Sequence, residues 1–131
     1  MLSISSHTRI FAATRAIDFR RGFDGLAQIV RDEFGEDPFG GALFCFFNRR
    51  RDRVKLLVWD QNGFWLHYKR LERGTFERVD GREARVEIDR AKLAMLLEGI
   101  DTKKSRFRRH FVRDVRIQSR DDDARSARAA Q

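Results

Sequence analysis

Two strand-like runs, Val54 to Trp59 and Phe64 to Tyr68, are separated by Asp60 and the turn-forming stretch Gln61-Asn62-Gly63, and nothing else. A connection this short forces the runs into an antiparallel hairpin, because parallel strands need a crossover of a dozen residues or more. Gln61-Asn62-Gly63 fits a three-residue loop in which Gly63 supplies the left-handed residue of a bulge. In that register Trp59 faces Trp65. Val54, Leu56 and Val58 then share a face with Phe64, Leu66 and Tyr68, while Lys55, Leu57 and Trp59 share the other with Trp65, His67 and Lys69. One face reads as core, the other as aromatic and cationic. A two-residue loop would mix them, which favours the three-residue form.

Other elements fall around this hairpin. Ile10 to Ala16 suits a short first strand. Phe23, Leu26, Ala27, Val30 and Phe34 recur on one helical face, with Gly35 as the stop; the helix begins as early as Phe19 if Asp18 caps it. After Pro38, Gly40 and Gly41, the run Ala42 to Phe47 reads as a buried strand holding Cys45, and the polar turn Arg49 to Asp52 returns the chain antiparallel into Val54 to Trp59. Two weaker strands near Thr75 to Val79 and Ala84 to Ile88 flank Asp80-Gly81 and could extend the sheet. Asp89 is positioned to cap a last helix through Leu93, Leu96 and Leu97, stopped by Gly99. The order predicts an α+β domain: a mainly antiparallel sheet with a long helix in the N-terminal half and a short C-terminal helix, packed on one face or at its ends.

Length matters next. At 131 residues the chain has room for one domain, and 41% hydrophobic residues, 12 of them Phe, suffice for one core. The net charge is +8, and Arg supplies 23 of the 28 cations, although GC-rich coding also favours Arg. The surplus is uneven: residues 1–101 carry 18 Lys and Arg against 16 acids, residues 102–131 carry 10 against 4. The reading is a domain over 1–101 followed by a basic tail over 102–131, at least partly disordered, with 106–117 left open between strand and helical turns. Cys45 is the sole cysteine, so neither an intramolecular disulfide nor a Cys-based zinc knuckle is available. No apolar run approaches the ~20 residues of a membrane span, and MLSISSHTRIF lacks the order of a signal peptide, so a cytoplasmic location is expected and no membrane partner.

Three clusters could carry binding chemistry. Arg20 and Arg21 precede the first helix, where free N–H groups and cations together suit a phosphate, though Arg20 could instead pair with Asp24. Arg49, Arg50, Arg51 and Arg53 crowd the hairpin tip, suited to the phosphate backbone or simply to solvent. Lys55, Trp59, Trp65, His67 and Lys69 combine stacking platforms with cations as single-strand binding surfaces do, unless a helix covers the tryptophans.

Catalytic patterns are missing. His7, His67 and His110 lie in three separate segments, and neither G-x-S-x-G nor a Walker loop occurs. Cys45 amid phenylalanines reads as a buried hydrophobe rather than a nucleophile. A metal nuclease built on Asp52 or Asp60, with Asp18, Asp37 and Lys55 nearby, is disfavoured because Asp52 and Lys55 are three apart and so leave opposite faces of a strand. No catalytic residue, metal ligand or cofactor is assigned.

The stretches IDFRRGFDGLAQIV (17–30), DPFGGALFCFFNRRRDRVKLLVWDQNGFWLHYKRLERGTF (37–76) and LAMLLEGID (93–101) closely resemble the small accessory protein from the second reading frame of IS-sixty-six-type bacterial insertion sequences. That family is often labelled TnpB and is distinct from the RNA-guided nuclease of the same label. The resemblance spans roughly residues 9–101 and includes Asp18, Arg20, Arg21, Gly22, Phe23, Asp24 and Gly25, then Trp59, Asp60, Gly63 and Tyr68 to Gly74. It implies a non-catalytic protein that assists a separate DDE-type transposase in moving its element. The segment after Asp101 departs from the short ending of the family. Local chemistry then assigns nucleic-acid contacts to Arg20, Arg21, Arg49, Arg50, Arg51, Lys69, Arg70 and Arg73, with DNA at the element ends and the transposase as partners and self-association left open. A protein adaptor without DNA contact is the alternative, and a metal-dependent nuclease a more distant one.

Overall fold

The computed structural model describes residues 4–100. The elements run β1 (Ile10–Ala13), α1 (Phe23–Asp32), β2 (Leu43–Phe47), β3 (Arg53–Asp60), β4 (Gly63–Arg70), β5 (Arg85–Ile88) and α2 (Arg90–Glu98). The basic tail and the open question over 106–117 lie outside the described residues.

The strands form one sheet in the order β4-β3-β2-β1-β5. The α+β class stands, but the sheet is mixed, not mainly antiparallel. Between Ala13 and Leu43 the chain crosses back through α1, so β2 runs parallel to β1, pairing Phe11 with Phe44. β2, β3 and β4 then form an antiparallel meander, and β5 pairs antiparallel with β1 at the far edge. The contrast of long and short helices also gives way, since α1 has 10 residues and α2 has 9.

The helices cover opposite faces, where packing on one face or at the ends was expected. On one face Leu26, Ala27, Ile29 and Val30 of α1 pack with Phe34 against Phe11, Phe44, Phe46 and Leu57. On the other, Leu93 and Leu96 of α2, with Phe76 and Val79, close over Ile10, Cys45, Phe47, Val54 and Leu56. This two-sided burial explains why β2 reads as an unbroken apolar run, LFCFF, all five residues buried. Burial pushes the Cys45 thiol up to about 12, which keeps it protonated and unreactive.

Local signals succeed where capping is local. Asp89 caps α2 by accepting the Lys92 N–H at 2.8 Å, and Gly99 ends the helix at φ +79. Asp18 does not cap α1: Gly22 is the N-cap, and the Asp18 carboxylate is taken by Arg20. Phe23 is correspondingly about half exposed, Ile29 takes a place on the buried face, and Phe34 lies beyond the helix end. Thr75 to Val79 forms no strand. It lies over the sheet with Phe76 and Val79 buried, and only Thr75 pairs, with Ile100.

The β3–β4 turn is tighter than predicted. Asp60 pairs with Gly63, leaving a two-residue loop of Gln61 and Asn62, in which Asn62 N–H bonds the Asp60 carbonyl. Trp59 therefore faces Phe64, and Val58 faces Trp65, so the two tryptophans lie on opposite faces. The three-residue loop followed from supposing a single buried face. With both faces packed, neither must be uniformly apolar, and that criterion loses its force. Gln61 holds the turn at φ +53, a left-handed conformation that a side chain disfavours by ~1 kcal/mol or more. Gln61→Gly is expected to raise stability by about 0.5–1 kcal/mol in urea denaturation, net of the extra unfolded-state freedom of glycine. A destabilised variant would contradict the turn geometry.

Candidate nucleic-acid interface

Because β1 and β2 run parallel, the segments following both strands emerge at the same end of the sheet. β3 starts there and β4 finishes there, since Arg53 pairs with Arg70. Hydrogen bonds knit these segments together. Ile17 N–H donates to Phe47 C=O at 2.9 Å, Leu71 N–H to Asp52 C=O at 2.8 Å, and Phe76 N–H to Arg51 C=O at 2.6 Å. Arg20, Arg21, Arg49, Arg50, Arg51, Lys69, Arg70 and Arg73, scattered over more than fifty residues of sequence, all fall at this one end.

The side chains are not equivalent. Arg51 is committed to structure: its Nε donates to Phe76 C=O at 3.2 Å, its Nη2 donates to Glu77 C=O, and its guanidinium lies over the Phe47 ring at 4.6 Å. Burial, followed by the neighbouring charge of Arg78, lowers its pKa, and its two hydrogen bonds stitch the turn to the segment of Phe76 and Glu77. Lys69 donates to Leu97 C=O at 2.7 Å and so satisfies a carbonyl in the last turn of α2. Arg70 pairs with Glu72 at 3.0 Å. Arg20 pairs with Asp18 at 2.7 Å, not with Asp24, yet its side chain is 91% exposed. Hydrogen bonds from Arg20 hold the Asp18 carboxyl down at about 2, so this pairing persists at neutral pH and is lost only as pH falls toward that value. Among the described residues the side chains of Arg21, Arg49 and Arg50 have neither an ion pair nor a hydrogen bond.

Two organising residues carry no obvious sequence signal. Asn48 closes the arginine turn, its Oδ1 accepting from Asp52 N–H at 3.1 Å and Arg53 N–H at 3.0 Å while its Nδ2 donates to Asp52 at 2.6 Å. Lys55, placed by sequence on the aromatic and cationic face, is only 6% exposed. Its ammonium donates to Phe19 C=O and Arg21 C=O, both at 2.9 Å, and lies over the rings of Phe19 and Tyr68. It therefore fixes the Arg20-Arg21 loop onto the sheet.

The proposed aromatic face divides. Trp59 packs edge-on against Phe39 and Phe64, each at 5.0 Å, on the α1 side. Trp65, on the other side, is 57% exposed, stacks with His67 and donates to Asp60 at 3.2 Å. Neither tryptophan lies under a helix-built cluster. As for the carboxylates considered for a metal, Asp52 and Asp60 bracket an eight-residue strand, so more than ~20 Å separates them. They cannot share one ion. Among the described residues no group of three or more His, Cys, Asp or Glu gathers in metal-binding reach, and no helix is long and apolar enough to cross a membrane.

Comparison with known proteins supplies the relation. The chain is 34% identical over 101 residues to the uncharacterized protein y4jC of Sinorhizobium fredii (strain NBRC 101917 / NGR234), an alignment covering 77% of this chain and 86% of that one. It is 36% identical over 101 residues to y4hO of the same strain, covering 77% and 88%. No solved structure matches. The model of the IS66 Orf2 like protein family matches residues 8–107, which takes in every element of the fold and the arginine-bearing end of the sheet. On these grounds the chain belongs to the IS66 Orf2-like family of transposition accessory proteins encoded by insertion sequences.

Proposed function

We propose that this protein assists transposition without performing catalysis, holding DNA by its phosphates at the arginine-rich end of the sheet while a separate DDE-type transposase does the chemistry. The observation that carries the reading is the convergence of Arg21, Arg49 and Arg50, whose side chains have no ion pair among the described residues, with the exposed Arg20. Support comes from α1, whose N-terminus opens at this end with no side-chain cap on its first N–H groups. Phosphate contacts of this kind give affinity and register but read no sequence. Arg51 and Lys69 are given a smaller share, because Arg51 spends two donors on Phe76 C=O and Glu77 C=O and Lys69 spends one of its three on Leu97 C=O.

Mobility shifts with element-end DNA across a salt series test the reading. Binding should weaken linearly in log salt, and an Arg21→Ala, Arg49→Ala, Arg50→Ala variant should flatten the slope by about 2–3, roughly one unit per lost contact. Absence of binding at low salt, or an unchanged slope in the variant, would overturn it. A protein adaptor is the second reading, favoured by the exposed Trp65 and Tyr68 on the outer strand. It predicts that the triple variant still co-purifies with the transposase after nuclease treatment.

A further inference from the structure

The two edges of the sheet differ sharply. β5 is a four-residue edge whose charges are tied down, Arg85 to Glu36 at 2.8 Å and Glu87 to Arg9 at 2.9 Å. β4 is eight residues long, has no proline, and pairs with β3 without a bulge from Asp60–Gly63 to Arg53–Arg70. Long, regular, apolar edge strands are the ones that recruit another strand, and native proteins ordinarily blunt them. Here Phe64, Trp65, Leu66 and Tyr68 occupy the middle of the strand, and none is buried.

The ladder shows which backbone groups are available. Leu71 N–H bonds Asp52 C=O across the β3 side, so in an antiparallel alternation the odd-numbered residues of β4 point toward β3 and the even-numbered ones away. Phe64, Leu66, Tyr68 and Arg70 therefore present N–H and C=O groups outward, and among the described residues no backbone partner meets them.

We propose that a second copy of this chain pairs with that edge, β4 against β4, antiparallel about a two-fold axis at Leu66, giving one continuous ten-stranded sheet. With Leu66 opposite Leu66, Phe64 meets Tyr68 on one face and Trp65 meets His67 on the other, so every large exposed side chain of the strand gains a cross-strand aromatic or apolar partner. Charge selects the antiparallel sense. β4 is basic at its finish, Lys69-Arg70, and lies beside Asp60 at its start. Antiparallel pairing sets Lys69 of each copy opposite Gly63 of the other, on the same face as that copy's Asp60 and one strand away from it, whereas parallel pairing would stack Lys69-Arg70 on Lys69-Arg70. The inference is independent of the DNA reading, and the two arginine-rich ends would lie at opposite ends of the joined sheet.

Sedimentation equilibrium on the full chain, freed of nucleic acid and in high salt, is the direct test. The expected mass is twice the 15.5 kDa of one chain, and Leu66→Pro should weaken association at least tenfold. Proline removes an outward N–H and leaves the β3 ladder intact. Trp65→Glu, at an exposed position, is the second variant should Leu66→Pro lose its circular-dichroism signature of folding, and it should weaken association likewise. Leu66→Cys supplies a positive readout: mild oxidation should yield a covalent dimer, since Cys45 is buried and inert. A monomer at ~100 µM, a dimer unaffected by folded edge variants, or capture of another protein's strand in place of a second copy would each overturn the proposal.

Discussion

Phe44→Ala is expected to cost about 3–5 kcal/mol in urea denaturation, a large part of the ~5–15 kcal/mol that holds a domain together. Phe44 is 1% exposed on β2, the central strand of the five, stacked on Phe11 at 5.6 Å and tilted against Phe34 at 6.1 Å. Truncation leaves a void that a strand fixed on both sides cannot close, because β1 and β3 hold the backbone in register. Phe39→Ala is the matched contrast. That ring also touches two aromatics, Trp59 at 5.0 Å and Phe64 at 5.5 Å, yet it is 52% exposed, and about 0.5–1.5 kcal/mol is expected. If the two variants cost the same, the described division between core and surface is wrong. Because Phe44 lies between the α1 layer and the parallel strand pair, its loss should also loosen the end of the sheet that carries the arginines.

What sequence made legible was local. The Asp89 cap, the Gly99 stop and the apolar run Ala42 to Phe47 need only neighbours a few residues away; the first two occur as read, and the run forms a strand one residue shorter, Leu43–Phe47. The position of the β3–β4 hairpin was equally plain. Its register was not, since choosing between two- and three-residue loops depended on how many faces of the sheet are buried, a property of distant elements. The parallel pairing of β1 with β2 was missed for the same reason: a ten-residue helix and two loops can return the chain in either sense, and the packing of α1 decides. At the candidate site, the arginine runs were visible singly but their convergence was a product of topology. Which cations are spent inside the fold was illegible. Arg51 reaches Phe76 and Glu77, Lys69 reaches Leu97, and Lys55 reaches Phe19 and Arg21, all across 25 residues or more.

Lys55→Met is expected to lower stability by about 2–4 kcal/mol, and to do so by releasing one loop. Methionine keeps the unbranched stem and its packing between Phe46 and Tyr68, the cross-strand neighbours of position 55, so the loss isolates the ammonium. Two charge-assisted hydrogen bonds disappear and the carbonyls of Phe19 and Arg21 lose their donor, along with the attraction to two ring faces. Lys55→Arg should not restore them, because a planar fork does not fit a site shaped for a compact ammonium. Trypsin provides the local readout. Arg20 and Arg21 are themselves cleavage sites, and with the tether gone the loop should be cut several-fold faster than in the wild-type protein, at denaturant concentrations where the sheet is still folded. Under the proposed phosphate contacts, the salt slope should flatten by less than in the triple arginine variant, since the cations remain and only their placement is lost. A Lys55→Met protein as stable and as resistant to trypsin as the parent would show that the arginine loop is held by something other than Lys55.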